Sequence, residues 1–393
     1  MNQPALIFAS TVATGVVGAV FLRGMDLAGH AFAAQPLLMA TLPLGAVLSN
    51  RLYARFAPSA DGGTPAAIRA GQDEQSPAPL GMAPLILLST LLTHFGGGSA
   101  GREGTALQLG AGITTLVAKI ARCEALSGGL ATRCGLAAGL AAVFGTPATG
   151  SVFALEICTS KPSLRDAVWV SVASWGGNTV ATLCGAVHAA TAPPAVDPPS
   201  AASFFGIAAL AVACGVLAGL FQRGLSLLRA ARARISSDWT ICLTATALLA
   251  TLATVVPSGL SYCGLGAKSL TAGTPSIETM LNDGTTASFA WLWKTVFTLI
   301  TLGAGMRGGE VTPLFFMGTS LGIHLSNIGL PAAGIAGPVG LCLTFAAGLR
   351  APLSAVILGF ELFGWETAFA VALGAHIAVR VAATLASKKG SQQ

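Results

Sequence analysis

Charge is what this chain lacks. Only 9% of its 393 residues are Asp, Glu, Lys or Arg, against roughly 25% in soluble domains. Too little charge remains to solvate a water-facing surface, and with 53% hydrophobic residues the chain reads as a polytopic, all-α membrane protein. Metal and disulfide chemistry have no footing either. The eight cysteines (123, 134, 158, 184, 214, 242, 263 and 342) form no CxxC pair and lie mostly in apolar runs, where they read as small buried thiols. The five histidines (30, 94, 188, 324 and 376) have no ligand spacing. His94, just ahead of a glycine run, is the one worth testing for proton transfer, although a packing or helix-end role is the plainer reading. Gly96, Gly98 and Gly101 satisfy GxGxxG without the preceding strand of a dinucleotide site, and Arg102-Glu103 stands where a P-loop needs Lys and Ser or Thr. No enzymatic activity, cofactor or metal is expected.

Glycine and proline, by contrast, are abundant, at 49 and 20 residues. In an apolar chain they indicate closely packed and broken helices. The net charge of +6 concerns topology rather than nucleic acid, because the cations fall in short polar loops. Residues 5–22 read as a first span and not a signal peptide, since no basic region precedes them and Arg23 follows, even though Ala31-Phe32-Ala33 imitates a cleavage site. Further spans are expected at 36–53, 80–95, 168–188, 204–228, 240–256, 289–302, 330–348, 352–364 and 367–386, with a glycine-punctuated piece at 263–281. Asp61-Gly62-Gly63-Thr64-Pro65 reads as the start of a short re-entrant half-helix. Arg51 and Arg55, Lys119 and Arg122, and Lys388 and Lys389 place their loops and both termini on the cytoplasmic side of the cell inner (plasma) membrane. The Pro-rich stretch divides the chain into a first membrane repeat (1–190), a linker (191–201), a second repeat (202–386) and a polar tail (387–393). With no soluble domain after Ala386, regulation by a nucleotide-binding tail is not expected.

The halves echo each other. Ala141-Ala142, Pro147 and Glu156 match Ala346-Ala347, Pro352 and Glu361 at an offset of 205, and Glu103-x-Thr105 matches Glu310-x-Thr312 at 207. Paired hydrophobic segments interrupted by Gly and Pro point to a transporter of inverted repeats with its site near the midplane. The segment from Gly96 to Thr105 opens directly into a helix beginning near Glu103. Glycines allow unwound backbone at membrane depth, and the helix start offers free N–H groups and a dipole of roughly +0.5 charge. This is an anion site in outline.

Four acids fall deep in expected membrane segments, Glu103, Glu156, Glu310 and Glu361, where a charge costs at least about 2.5 kcal/mol. Glu103 and Glu310 open helices, so each either caps free N–H groups or serves the anion. A carboxylate that can take the anion's own seat, and that leaves it on protonation, would couple anion to proton. Glu156 and Glu361, late in matching helices, read first as structural. Arg102 reads equally as an anion attractant and as a partner or membrane-edge anchor for a nearby acid.

Gly101-Arg102-Glu103-Gly104, the pair Gly308-Gly309 ahead of a Pro-containing helix start, and Asp61-Gly62-Gly63-Thr64-Pro65 together resemble the CLC anion channels and exchangers over essentially the whole chain. Thr105 and the run from Gly308 to Phe316 resemble the fluoride/proton antiporter branch of that family. The resemblance implies a homodimer in the lipid bilayer, each subunit with its own pathway for fluoride, or alternatively chloride, and protons. Glu103 would be the gating and proton-carrying glutamate. Gly101, Arg102, Gly104 and Thr105, Gly309, Val311 and Thr312, and Gly62, Gly63 and Thr64 would line the path. An acid beside an anion repels it unless it holds a proton, so Glu310 is expected to carry a proton or donate to fluoride. A small, strongly hydrated anion needs several donors in a narrow space, and a Thr hydroxyl with helix N-terminal amides supplies them. Three positions depart from the family pattern. Gly62 stands at the inner gate without a side chain, no tyrosine falls near 376–381, and Ile157 follows Glu156 where chloride/proton exchangers carry a second glutamate. The inner gate is therefore expected to be wide, and any proton route to leave through water or Glu310.

Overall fold

Proline and glycine decide where the helices of this chain begin and how closely they approach. The computed structural model describes residues 2–73, 77–123, 128–157, 162–188, 200–269, 273–330 and 334–386. Within them sixteen α-helices follow one another with no strand. The first eight are α1 (Gln3–Ala34), α2 (Leu42–Phe56), α3 (Gly63–Gln72), α4 (Met82–Phe95), α5 (Glu103–Ile120), α6 (Gly128–Phe144), α7 (Pro147–Glu156) and α8 (Leu164–Leu183). Then come α9 (Ala201–Arg232), α10 (Asp238–Val255), α11 (Ile277–Asp283), α12 (Ala290–Gly303), α13 (Val311–Asn327), α14 (Ala336–Leu349), α15 (Pro352–Phe363) and α16 (Trp365–Ala386). Of these, α1, α9, α10 and α16 are long and apolar enough to cross a membrane, and shorter apolar helices fill the interior.

Several boundaries correct the sequence reading. The first span does not stop at Arg23. Helix α1 runs 32 residues, roughly 48 Å at 1.5 Å per residue, longer than a hydrocarbon layer of about 30 Å requires. The cation is accommodated because its guanidinium donates to the Cys184 carbonyl at the end of α8 (2.8 Å). Segment 36–53 is two pieces, a 3-10 turn at Pro36–Thr41 and then α2, whose start coincides with Pro43. Of the 263–281 piece, the described residues 263–269 and 273–276 are irregular and a helix begins only at α11. The expected re-entrant half-helix is present as α3, entered through Gly63 at φ +58, a backbone angle that suits glycine. Residues 191–199 of the linker, and the tail 387–393, lie outside the described residues.

Matching helices of the halves pack in matching ways. In the first half α5 crosses α6 so closely that a Cβ on Gly110 would overlap the Gly135 carbonyl, and one on Gly139 the Ala106 carbonyl. In the second half α13 crosses α14 likewise, with Gly318 against the Gly340 carbonyl and Gly322 against that of Ala336. Small residues thus let backbones touch where no hydrophobic force separates helix from lipid.

The halves are also locked to each other. The Glu156 carboxylate at the end of α7 accepts from the Leu353 (2.7 Å) and Ser354 (2.8 Å) N–H groups and the Ser354 hydroxyl at the start of α15. Glu361 at the end of α15 accepts from the Ala148 (2.9 Å) and Thr149 (2.8 Å) N–H groups and the Thr149 hydroxyl at the start of α7. Each carboxylate therefore caps the other half's helix, where free N–H groups and the dipole favour a negative charge. The structural reading of this pair is the one observed. The described cysteines are all buried except the half-buried Cys184.

Candidate anion site

The site forms where α5 and α13 begin. Just ahead of them Gly101 and Gly309 pair as two antiparallel strand residues, the Gly101 N–H donating to the Gly309 carbonyl (2.7 Å) and the Gly309 N–H to that of Gly101 (2.8 Å). Close approach requires glycine here, since a Cβ on Gly101 would lie 2.7 Å from the Thr312 hydroxyl oxygen. The pairing consumes both glycine N–H groups, so an anion must use the donors that follow. Those of Glu103, Gly104 and Thr105 precede the first helical bond of α5, from the Ala106 N–H to the Arg102 carbonyl (2.9 Å). Those of Val311 and Thr312 precede the bond from the Leu314 N–H to the Glu310 carbonyl (3.1 Å). Pro313 has no N–H to offer.

Between these two helix starts lies the Glu103 carboxylate, 1% exposed. Thr312 donates its hydroxyl to Glu103 Oε2 and accepts from the Arg102 N–H (3.1 Å), so one hydroxyl joins the two halves. Arg102 Nε stands 3.4 Å from the other carboxylate oxygen. The acid of the first half is thus held by the hydroxyl of the second, and Arg102 is its charge partner. A cavity of 960 Å³ reaches this point. Arg102, Glu103, Thr312 and Phe315 line its inner end, and Asp26, His30 and residues 253–261 and 263–269 its mouth. Phe315, which lines the cavity with Phe144, stacks on it at 5.1 Å and on Phe345 at 5.8 Å.

The remaining sequence-predicted residues distribute around this centre. Gly104 admits the third segment, since a Cβ there would lie 2.9 Å from Thr64 Oγ1. Thr64 donates to the Gly104 carbonyl (3.2 Å). The Thr105 hydroxyl turns to Thr90 (3.0 Å) on α4, so Thr105 offers the site its backbone rather than its side chain. Val311 is buried and likewise contributes its N–H. Gly63 shapes the turn into α3, and Gly62 is exposed with the Arg69 guanidinium beside it, at 3.0 Å from where a Cβ would sit. Glu310 goes elsewhere. Although it precedes α13 its side chain makes no cap bond, and it pairs with Arg229 at the end of α9 (2.9 Å), outside the cavity wall. His94 places its ring nitrogens against the Thr90 (2.8 Å) and Ala100 (3.0 Å) carbonyls, strapping α4 to the glycine-rich stretch. Neither tyrosine lines the cavity: Tyr53 lies under the Arg307 guanidinium (4.2 Å), and Tyr262 packs on Phe297 and Phe316.

Three residues to which the sequence reading assigned no part in the site matter here. Gln108, buried on α5, donates to Thr64 Oγ1 and to the Gly104 carbonyl, both at 3.2 Å, and fixes the third segment. Arg229 holds Glu310, and Lys294 is buried in α12. Gln108 and Lys294 are each a single amide or cation in a mostly apolar helical run, whereas Arg229 falls among Arg223 and Arg232 at the end of α9.

Broken helices whose starts meet around a buried carboxylate define a class, the multi-pass membrane transporters built from paired repeats. The family model for voltage gated chloride channels matches residues 44–384, and the chain belongs to that CLC family. A chloride/fluoride channel protein of Pseudomonas syringae pv. tomato is 31% identical, covering 90% of this chain and 78% of its relative. An H(+)/Cl(-) exchange transporter ClcA of Yersinia pestis is 26% identical over 89% of this chain and 78% of that one. Among solved structures, a CLC-type fluoride/proton antiporter superposes with a TM-score of 0.84 at 26% identity, covering 98% of this chain and 95% of the other. A slow cyanobacterial Cl-/H+ antiporter, at 20% identity and TM-score 0.78, shares the fold.

Proposed function

We propose that this protein exchanges fluoride for protons across the membrane, with Glu103 as the moving part. The observation that carries this reading is the seat of the Glu103 carboxylate, bonded to the Thr312 hydroxyl between two helix starts. An ionised carboxylate in that seat is a stand-in for the transported anion. On taking a proton Glu103 loses its attraction to the helix dipoles and leaves, and fluoride inherits the hydroxyl and the free N–H groups of 103–105 and 311–312. Losing the proton returns the carboxylate and expels the anion; with the proton taken from one face and released to the other, and fluoride taken from that other face, each cycle moves the two ions in opposite directions. The fluoride-named relatives at 26–31% identity support the choice of ion. Glu310 would accept a proton only after leaving Arg229, which makes it a relay on the side away from the cavity. The protein works as a homodimer in the plasma (inner) membrane with both termini cytoplasmic, and exposed side chains such as Trp175, Phe360, Trp365 and Phe369 supply apolar surface for lipid or a second subunit.

Liposomes loaded with fluoride and watched with fluoride and pH electrodes test the proposal. Fluoride efflux should drive proton uptake, and Glu103→Gln should abolish the uptake. The exposed Gly62 favours a second reading, an open inner mouth and an uncoupled anion path. Chloride efflux equal to fluoride efflux, with no proton movement, would establish that reading instead.

A further inference from the structure

Lys294 sits on α12, fully buried, in the run from Ala290 to Gly303 that otherwise consists of apolar, small and hydroxyl residues. No carboxylate among the described residues pairs with it. Its ammonium donates to the Tyr262 (3.1 Å) and Gly264 (2.9 Å) carbonyls and lies over the Phe316 ring at 5.6 Å. All three partners are neutral, and an ammonium has three donors. Removing a charge from water without an opposite charge beside it is costly, whereas Met or Leu would fit a helix of this kind at no such penalty. The position of the charge suggests what it is for. Cys263, Gly264, Leu265 and Gly266 form part of the cavity wall, and Lys294 stands directly behind them: a Cβ on Gly266 would lie 3.1 Å from Nζ. The same loop is tied to the glycine-rich stretch by the Gly264 N–H, which donates to the Gly97 carbonyl (3.0 Å). Arg102, whose Nε stands 3.4 Å from the Glu103 carboxylate, brings a second basic group to the same cavity.

We propose that Lys294 is an electrostatic positioning residue for anion uptake, a buried charge behind the cavity wall that concentrates small anions at the seat and pins the 262–266 loop to the glycine-rich stretch. In a water-poor cleft a fixed charge focuses its field and raises the local concentration of the counter-ion. The residue acts through the cavity wall and touches no transported ion. This inference rests on the anion-transport reading above.

The test is the half-saturating anion concentration and the maximal turnover in liposomes, measured for wild type and variants with fluoride and then chloride. Lys294→Met should raise the half-saturating fluoride concentration about tenfold with turnover nearly unchanged, and Lys294→Arg should restore it. Because removing a buried lysine can impair folding, the charge is also neutralised in place: Gly266→Asp puts a carboxylate beside Nζ, and Gly266→Asn is the uncharged control of equal size. At the φ of +74 found there, Asp and Asn are among the better tolerated residues. Both substitutions crowd Phe316 and the Lys294 side chain equally, so the charge is read from their difference: Gly266→Asp should raise half-saturation about tenfold above Gly266→Asn. If half-saturation is the same in all variants, or if Asp and Asn at 266 behave alike, Lys294 is only a loop anchor and the proposal is overturned. A wild type that moves chloride but not fluoride defeats the fluoride assignment while leaving Lys294 readable through chloride. A wild type that moves neither anion removes the transport reading and this inference with it.

Discussion

The Thr312 hydroxyl makes the case at the scale of a single residue. It bonds the carboxylate of one half and accepts an N–H from the same half, so it links the seat to its occupant. A hydrogen bond to a charged group contributes about 1.5–3 kcal/mol. Thr312→Val should therefore weaken fluoride binding by roughly ten- to a hundredfold while Thr312→Ser stays within a few fold, as read from half-saturating fluoride in proteoliposomes. Much of this site was legible in the chain itself. Glu103 and Thr312 stood out because an acid and a hydroxyl recur at helix starts next to glycine, and the physics of helix N-termini says what such residues do. Gln108, Arg229 and Lys294 were not legible. Gln108 and Lys294 are the lone amide and lone cation of their helices and Arg229 is one of several cations closing α9, and only the tertiary neighbours, Thr64, Glu310 and the Tyr262 and Gly264 carbonyls, reveal a use for them. The side chain of Glu310 illustrates the same limit, for the sequence places it at a helix start but contains nothing about an arginine 81 residues upstream.

At the scale of elements, the contact of α5 with α6 and of α13 with α14 depends on bare backbone. A methyl group on Gly110 meets the Gly135 carbonyl, which belongs to a helix and cannot yield. Gly110→Ala is expected to cost about 3 kcal/mol, the upper end for overpacking, and to lower the thermal midpoint followed by loss of a monodisperse gel-filtration peak. Gly224→Ala is the matched control, because its new methyl would meet only the Leu299 side chain at 3.4 Å and 3.5 Å and should leave the midpoint unchanged. The abundance of glycine announced close packing, but which glycines touch which helix follows from the crossing of elements, which no local pattern records. For the same reason the end of α1 was misread at Arg23, since the Cys184 carbonyl that satisfies the guanidinium lies 161 residues away.

The whole molecule is two halves that complete each other. Glu156 and Glu361 each cap a helix of the opposite half, so removing one should loosen the α7–α15 contact on which the other depends. Glu156→Gln and Glu361→Gln should each lower the thermal midpoint, and the double variant by less than the sum, because contacting residues do not act independently. Half-saturating fluoride should not move, since neither carboxylate lines the cavity. The matched spacing of these two acids made the repeat visible in the sequence, and their mutual capping is its physical reason.

The paired bonds between Gly101 and Gly309 constrain how such a molecule can operate. They staple the two repeats together at the seat itself, so a rocking motion of one half against the other would break two backbone hydrogen bonds in a medium that offers no replacement partner. What remains free to move is a side chain a few ångströms long. The scaffold is then expected to stay still during turnover, and changes of lipid thickness, lateral pressure and bilayer viscosity should leave the speed of the cycle nearly unchanged.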